Sequence, residues 1–324
     1  MLTITQYRDA FLDYLNKKIT TKEPVNLYEP ITYILNLGGK RLRPVLVLMS
    51  TEIFDTSYEK ALDAALAIEV FHNFSLVHDD IMDDAPLRRG NATVHEKWDL
   101  NTGILSGDAM LINAYQLFEN YDGPVFKELA QLFTKTAIQV CEGQQYDVDF
   151  ENREDVEIKD YLKMIEYKTA VLVGASLQMG AIIGGASEES KKAFYEYGCL
   201  LGIAFQLQDD YLDAFGDPET FGKQLGGDII ENKKTFLYLT ALQKAKSSEA
   251  RQLEHLYSIN PMDARGKIEA VKSIFQESGA SELATEEIRK YTQKAFEVLD
   301  TIEIPEDKKN LLRRFGSLLM EREV

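Results

Sequence analysis

Apolar residues recur at three- and four-residue spacing along most of the chain, as at Leu62, Leu66 and Ile68, which is the period of a helix with one buried face. Glycine- and proline-rich breaks, for example at 216–218, separate these stretches. No segment shows the two-residue alternation of a half-buried strand. The pattern therefore predicts an all-α fold, with helices at about 3–19, 26–37, 41–55, 58–84, 92–99, 102–120, 124–146, 158–184, 189–216, 234–246, 248–258, 264–279, 281–300 and 305–321.

The domain organisation follows from the evenness of this pattern. The sequence has no linker, low-complexity tract or clear internal repeat, and 45% of its 324 residues are hydrophobic. That composition is enough for a large core. We therefore expect a single domain over residues 1–324, a bundle of roughly ten to fourteen helices.

Two aspartate clusters of the form D-D-x-x-D interrupt this apolar background, at 79–83 and 209–213. Because positions i and i+4 share a helical face, Asp79 pairs with Asp83, and Asp209 with Asp213. Neighbouring carboxylates repel each other unless a cation lies between them. Two such faces, opposed across a cavity, would bind several hard divalent cations such as Mg²⁺.

Basic residues accompany each cluster, as a metal–diphosphate complex requires. Arg88 and Arg89 follow the first cluster, whereas a glycine-rich loop with Lys223 and then Lys233 follows the second. A further basic segment at 38–44 places Lys40 and Arg43 three residues apart, so we expect both on one helical face. His72 lies two turns before Asp79 on the same helical face, so we expect it to contact a ligand. The Lys168–Thr169 pair interrupts an apolar helix and is expected to face the cavity, although it could instead form an ordinary helix-to-helix hydrogen bond or salt bridge.

Charge and cysteine content narrow the possible partners and the compartment. The net charge of −17 argues against nucleic acid, whose phosphates need a basic surface. Cys141 and Cys199 lie in apolar helical segments, and two buried thiols suit the cytoplasm. We find no signal peptide at the N-terminus and no apolar run long enough to insert stably into a membrane.

Taken together, the motifs resemble those of the trans-isoprenyl diphosphate synthases (polyprenyl synthetases), closest to the geranylgeranyl and farnesyl types. The matching segments are 38–44 (GGKRLRP), 79–90 (DDIMDDAPLRRG), 143–147 (GQQYD), 168–169 (KT), 205–213 (FQLQDDYLD) and 222–233 (GKQLGGDIIENK). The resemblance implies an all-α homodimer with a central cavity and three Mg²⁺ ions. It also implies a prenyltransferase that joins isopentenyl diphosphate to an allylic diphosphate by Mg-assisted ionisation.

The resemblance assigns a role to each matching residue. The direct metal ligands would be Asp79, Asp83 and Asp209, with Asp80 and Asp213 in close support. Isopentenyl diphosphate would contact Lys40, Arg43, His72 and Arg89. The allylic diphosphate would contact Arg88, Lys168, Thr169, Gln206, Lys223 and Lys233, and these six would also serve catalysis.

Product length is expected to depend on the residues before the first cluster. Phe74 and Ser75 lie one turn before Asp79 and Phe71 lies a turn further. In the family, two aromatic residues at the first two positions stop elongation at C15, whereas here one of them is serine. The pattern therefore resembles the geranylgeranyl (C20) type.

Three other interpretations remain besides a C15 product. A class I terpene cyclase would use similar aspartates without the basic site for a second substrate. A di-iron bundle needs two Glu-x-x-His pairs, and the chain has only Glu69 with His72. A non-catalytic subunit of a heteromeric synthase would commonly lack one aspartate cluster.

Overall fold

The structure is a computed structural model that describes residues 1–217 and 225–320, and almost all of its regular structure is helical. The all-α prediction is therefore confirmed. The chain divides into two compact units. Unit 1 comprises Met1–Thr136 and Ala175–Tyr195, and unit 2 comprises Ala137–Gly174 and Glu196–Val324. That the chain forms a single domain stays a prediction.

The α-helices of the described residues are α1 Ile4–Lys18, α2 Val25–Asn36, α3 Leu42–Ile53, α4 Leu62–Met82, α5 Val94–Lys97, α6 Leu100–Gln116, α7 Gly123–Asn152, α8 Ile158–Ile165, α9 Val171–Ile183, α10 Glu188–Phe215, α11 Gly227–Ile230, α12 Phe236–Lys244, α13 Ser247–Leu256, α14 Arg265–Glu277, α15 Ala280–Thr301 and α16 Glu306–Met320. Single 3₁₀ turns lie at Tyr58–Ala61 and Leu117–Asn120. Two short strands are β1 Leu87–Arg88 and β2 Asn91–Ala92.

Most predicted helices begin and end within a few residues of the observed ones. Helix α1 starts where Thr3 and Gln6 cap each other reciprocally. The predicted helix at 158–184 is wrong in its middle, because Glu166–Ala170 form a π-helical turn between α8 and α9. Such a turn has no hydrophobic period of its own, so the apolar pattern does not reveal it.

The hairpin of β1 and β2 was not indicated by the sequence, which shows no alternating segment. Leu87 pairs with Ala92 and Arg88 with Asn91, which leaves Arg89 and Gly90 as a two-residue turn. Both turn residues have positive φ, of 54° and 76°. This is the backbone of the tight turns that join antiparallel strands. Strands of two residues are too short for alternation to show in the sequence.

Unit 1 is built around α4, which packs against α3 and α6. Its buried residues include an ion pair between Arg41 and Glu69, whose side chains are 2% and 3% exposed. Arg41 also donates to the carbonyl of Leu35, and Asn73 Nδ2 donates to Glu69 Oε1 over 3.0 Å. These further hydrogen bonds offset part of the cost of burying the pair, although Arg41 Nε has no partner among the described residues. The pair fixes the start of α3.

Unit 2 contains the π turn, and two glycines make room for it. A Cβ at Gly143 of α7 would lie 2.2 Å from the backbone nitrogen of Lys168. A Cβ at Gly202 of α10 would lie 2.6 Å from Cα of Ala170. Side chains at either position would push the turn away, so both glycines determine where Lys168 and Thr169 lie.

Two further expectations from the sequence concern the burial of the two cysteines and membrane-spanning segments. Neither cysteine forms a disulfide, but Cys141 is exposed and Cys199 is half-buried, so the expectation of two buried thiols is wrong. Position 141 of α7 is exposed, although apolar residues such as Val140 adjoin it in the sequence. Among the described residues, no helix is both long and apolar enough to cross a membrane.

Candidate functional site

The first aspartate cluster lies at the C-terminal end of α4. The backbone N–H of Asp83 donates to the carbonyl of Asp79 over 2.9 Å, so the two residues are one helical turn apart, as predicted. Asp79 is half-buried and Asp83 is exposed, whereas Asp80 between them is fully buried. The cluster therefore presents its first and last carboxylates outward and its second inward.

Asp80 is paired with Arg88 of the hairpin. Arg88 Nε donates to Asp80 Oδ1 over 2.9 Å, and Arg88 Nη2 donates to the same oxygen. The same Nη2 lies 3.6 Å from Asp79 Oδ2. Burial raises the pKa of Asp80 despite the opposing effect of Arg88. The ion pair holds the guanidinium of Arg88 beside the outward-facing carboxylate of Asp79.

The neighbouring Arg89 is directed towards the loop before α3. Its Nη1 donates to the carbonyl of Gly38. A Cβ at Gly39 would lie 3.1 Å from the Arg89 guanidinium carbon, and Gly39 has a φ of +118°. The backbone therefore favours glycine there, and a side chain would also crowd the Arg89 guanidinium. The two arginines of the hairpin therefore point in different directions, Arg88 towards Asp80 and Arg89 towards Gly38.

Arg43 and His72 meet next to this loop, with 3.3 Å between Arg43 Nη1 and His72 Nε2. Burial lowers the pKa of His72 well below its ordinary value, and Arg43 and Arg89 lower it further. The imidazole is therefore neutral at pH 7. The expected common helical face for Lys40 and Arg43 is wrong, because α3 begins at Leu42 and exposed Lys40 lies in the loop before it.

The second aspartate cluster lies near the C-terminal end of α10, in unit 2. Asp209 and Asp213 are both half-buried and both lie within the helix, so they share one of its faces. Asp213 accepts hydrogen bonds from the backbone N–H groups of Gly227, at 3.2 Å, and Asp228, at 3.0 Å. Asp213 is thereby fixed at the start of α11.

Asp210, the second residue of this cluster, is buried, and its hydrogen-bond partners are neutral. Its Oδ2 accepts from the Tyr161 hydroxyl, and its Oδ1 accepts from Gln206 Nε2 over 2.8 Å. Thr169 Oγ1 in turn donates to Gln206 Oε1 over 3.0 Å. Burial raises the pKa of Asp210 to about 7. Asp210 thus fixes the amide of Gln206, which fixes the hydroxyl of Thr169.

The lysines assigned to the allylic substrate have carboxylate partners. Lys168 Nζ lies 2.6 Å from Asp147 Oδ2, so the helix-to-helix salt bridge left open by the sequence is present. Lys233 Nζ lies 2.9 Å from Glu231 Oε2. Burial alone would lower the pKa of Lys233, but Glu231 and Asp228 raise it above its ordinary value. Lys223 lies outside the described residues.

The residues expected to set product length lie on α4 and differ in their surroundings. Phe71 is fully buried, with its ring centroid 5.1 Å from that of Phe133 and 5.5 Å from that of Phe74. Phe74 is 8% exposed and meets His78 at 4.9 Å. Ser75 is half-buried, and its hydroxyl donates to the carbonyl of His72 over 2.8 Å.

Sequence reasoning missed three residues that shape these groups. Glu69 forms the buried ion pair with Arg41, and Tyr161 donates a hydrogen bond to Asp210. Burial raises the pKa of Asp228, and the nearby carboxylates of Asp210 and Asp213 raise it further. A charged residue within the apolar pattern of α4 was a signal for Glu69. Tyr161 gave none, since a tyrosine in an apolar helix is ordinary.

The chain is similar to known proteins over most of its length. The family model for polyprenyl synthetases matches residues 24–275. A crystal structure of a geranylgeranyl pyrophosphate synthase is 52% identical, covers 100% of both chains and superposes with a TM-score of 0.96. The geranylfarnesyl diphosphate synthase of Natronomonas pharaonis is 36% identical over 98% of this chain and 96% of its own.

A more distant structure was determined with ligands. The geranylgeranyl pyrophosphate synthase of Corynebacterium glutamicum, complexed with isoprenyl diphosphate and magnesium, is 27% identical. It superposes with a TM-score of 0.86 over 99% of this chain and 98% of its own. The match to the family model spans well over half of the chain, and a 36% identical relative covers nearly all of it. The chain therefore belongs to the polyprenyl synthetase family and is a prenyltransferase.

Proposed function

We propose that this enzyme joins isopentenyl diphosphate to allylic diphosphates of five to fifteen carbons and releases all-trans geranylgeranyl diphosphate (C20). One observation carries the proposal: each D-D-x-x-D motif has outer carboxylates with some exposure and a buried second carboxylate that fixes a polar side chain, which we assign to the substrate. Asp80 fixes Arg88, and Asp210 fixes Gln206. A cyclase would need no second basic group of the kind that Arg43, His72 and Arg89 form.

The carboxylates suit a hard divalent cation. Asp79, Asp83 and Asp209 offer the charged oxygen donors that Mg²⁺ prefers, and none of them is fully buried. We assign the binding of three Mg²⁺ ions to these residues, with Asp80 and Asp213 in support. Bound Mg²⁺ would neutralise part of the charge on the diphosphate group.

Arg88 and the lysines have the task of stabilising the leaving diphosphate. As the C–O bond of the allylic substrate breaks, its electron pair leaves with the diphosphate, and negative charge grows on the oxygens. Arg88, already oriented by Asp80, and Lys233, whose raised pKa keeps it charged, place positive charge in advance. We assign Lys168 and Lys223 to the same group.

The allylic cation is stabilised by dipoles rather than by charges. Thr169 and Gln206 are linked by a hydrogen bond, and Gln206 is held by Asp210, so their oxygens keep a fixed orientation. Fixed dipoles in a site that excludes water stabilise developing charge at little reorganisation cost. The double bond of isopentenyl diphosphate then attacks the cation, a C–C bond forms, and the released diphosphate accepts the proton that is lost.

The basic group of unit 1 is assigned to isopentenyl diphosphate. Arg43 is held against neutral His72, and Arg89 is held by the Gly38 carbonyl. Lys40 is exposed in the same loop and adds a flexible positive charge. Guanidinium groups that are oriented before the ligand arrives lose less entropy on binding it.

We assign product length to Phe71, Phe74 and Ser75. Phe74 and Ser75 are neighbours on α4 that are not sealed as Phe71 is, so changes in their size alter the space in front of the aromatic cluster. Ser75→Phe is expected to shorten the product, and Phe74→Ala to lengthen it. If both variants release the wild-type product, the assignment is wrong.

We further propose that the enzyme is a homodimer. Four large apolar side chains of α6 are exposed by 40–65%, namely Leu100, Ile104, Leu105 and Ile112. An apolar stripe of this size on one helix is typical of a surface that a second copy covers. Sedimentation velocity should give twice the monomer mass, and Ile112→Glu should shift the protein towards monomer.

The decisive test supplies purified enzyme with MgCl₂, isopentenyl diphosphate and one allylic diphosphate of five, ten or fifteen carbons. Products are dephosphorylated and identified by mass. A C20 alcohol from each starter supports the proposal, whereas a C15 or C25 alcohol would assign a farnesyl or geranylfarnesyl product instead. A hydrocarbon formed without isopentenyl diphosphate would identify a cyclase, and no turnover would favour a partner subunit.

A further inference from the structure

A group of three potential metal ligands lies at the two ends of the hairpin, and it includes none of the aspartates assigned to Mg²⁺. Asp84 follows the end of α4, and His95 and Glu96 lie in α5. One ligand atom from each of the three lies within 4.8 Å of the other two. Asp84 and Glu96 are exposed, and exposed acidic residues alone say little about a ligand.

The histidine supplies the second, independent observation. The side chain of His95 is only 9% exposed. Among the residues that the structure describes, neither His95 Nδ1 nor His95 Nε2 has a hydrogen-bond partner. The nearest carboxylate oxygen, Oε1 of Glu96, is 3.9 Å from Nε2, which is too long for a hydrogen bond. A buried imidazole without partners is costly unless a ligand satisfies it.

The donor set defines the class of cation. An imidazole nitrogen with two carboxylate oxygens suits Zn²⁺, Co²⁺ or Mn²⁺, whereas Mg²⁺ prefers oxygen donors alone. Ligand atoms around such an ion lie about 3–4 Å apart, so the two exposed carboxylates need to move inward by only about 1 Å. We propose that Asp84, His95 and Glu96 bind one divalent transition-metal ion.

The position of this site suggests what the ion does. Asp84 precedes the hairpin and His95 with Glu96 follows it, so the ion would link the two ends of the segment 85–94. That segment carries Arg88 and Arg89. A link between its ends restricts the hairpin and holds both arginines, which is a structural role separate from the reaction.

The test uses untagged, full-length protein with CoCl₂ and a large excess of MgCl₂, which occupies sites made only of oxygen donors. Equilibrium dialysis measures bound Co²⁺, and its visible absorption reports nitrogen coordination. Wild-type protein should retain one Co²⁺ per chain. Asp79→Ala should retain it as well, which separates this site from the aspartate cluster.

Variants of the three ligands decide the outcome. Glu96→Gln and Asp84→Asn, both at exposed positions, should weaken Co²⁺ binding at least about tenfold, since even partners of metal ligands are worth that much. His95→Asn should remove the absorption band, and His255→Asn, at an exposed histidine of α13, should bind as wild type. Equal binding by Glu96→Gln and wild type, or no Co²⁺ retained by wild type, would overturn the proposal.

Discussion

The two aspartate clusters have one spacing but fix their second carboxylates by different means. In unit 1, buried Asp80 is paired with a charged group, Arg88, which comes from a hairpin. In unit 2, buried Asp210 is held by a hydroxyl and an amide, from Tyr161 and Gln206. The same sequence motif therefore positions the positively charged guanidinium of Arg88 in unit 1 and a chain of neutral hydrogen-bonding groups in unit 2.

The difference agrees with the chemistry proposed for each unit. The guanidinium of Arg88 beside Asp79 suits a diphosphate that is bound both by Mg²⁺ and by the arginine. Neutral dipoles suit a carbocation, which a nearby positive charge would destabilise and an unscreened carboxylate could trap. The backbone also contributes differently, since the π turn and its two glycines place Thr169, whereas an ion pair places Arg88.

The largest effect should come from the outward-facing aspartates, which both units share. We expect Asp79→Ala and Asp209→Ala each to lower kcat/KM at least about a thousandfold, or about 4 kcal/mol, because each removes a charged ligand of the metal–diphosphate complex. Initial rates over a MgCl₂ titration measure this. Asp9→Ala, at an exposed position of α1, is the control. Near-wild-type turnover in either variant would show that its cluster does not bind the metal.

Replacing the second aspartate of each cluster should lower kcat/KM by different factors in the two clusters. Asp80→Asn removes the buried carboxylate that orients Arg88 and leaves it only the longer, 3.6 Å approach to Asp79, so we expect about a hundredfold loss of kcat/KM. Asp210→Asn should lose less than about tenfold, because an amide can still accept from one neutral partner and donate to the tyrosine oxygen. Steady-state kinetics with the allylic substrate varied measures both. Equal losses would mean that the nature of the partner does not matter.

A double-mutant cycle tests whether Asp80 acts through Arg88. If it does, Asp80→Asn should cost little more once Arg88 has been replaced by Gln, giving a coupling of about 1 kcal/mol or more. Additive losses would show that Asp80 contributes independently, for instance as a metal ligand. The melting temperature of each variant serves as the control for folding.

The sequence was sufficient for the helices and for the residues that carry charge. Helical periodicity and the D-D-x-x-D spacing depend only on local geometry, so the shared face of Asp79 and Asp83 could be predicted directly. The hairpin could not, because its strands have two residues each and its turn uses Arg89 where glycine or asparagine is usual.

The hydrogen-bond and ion-pair partners of the site residues could not be predicted from the sequence, for a different reason. Asp210 and Tyr161 are 49 residues apart, and Arg41 and Glu69 are 28 apart. Such pairs depend on how helices pack, which periodicity does not specify. The same holds for the start of α3, where Arg41 adopts a φ of 51° and so removes Lys40 from the helix.

Gly143 tests whether backbone shape positions the dipoles of unit 2. Gly143→Ala places a Cβ against the backbone of Lys168, so we expect a loss of about 1–3 kcal/mol in unfolding free energy and a higher KM for the allylic substrate. The matched control is Gly266→Ala in α14, where a Cβ meets no atom within 4 Å. That change should leave kinetics unaltered and stabilise by up to about 1 kcal/mol. Urea denaturation measures both, and similar behaviour of the two variants would contradict a role for the π turn.

The last effect is on stability rather than on rate, and it concerns the basic group of unit 1, which contains a histidine. The pKa of His72 is lowered in the folded protein by burial and by Arg43, whereas the unfolded chain has the ordinary 6.5. Below 6.5 the unfolded state therefore binds the proton first, and stability falls as the pH decreases towards the folded pKa, by about 1.4 kcal/mol per pH unit. His72→Gln removes this contribution, so its stability should fall less than that of wild type between pH 7 and 5. His255→Gln, at an exposed position of α13, is the control variant. Parallel curves for His72→Gln and wild type would show that His72 titrates alike in both states.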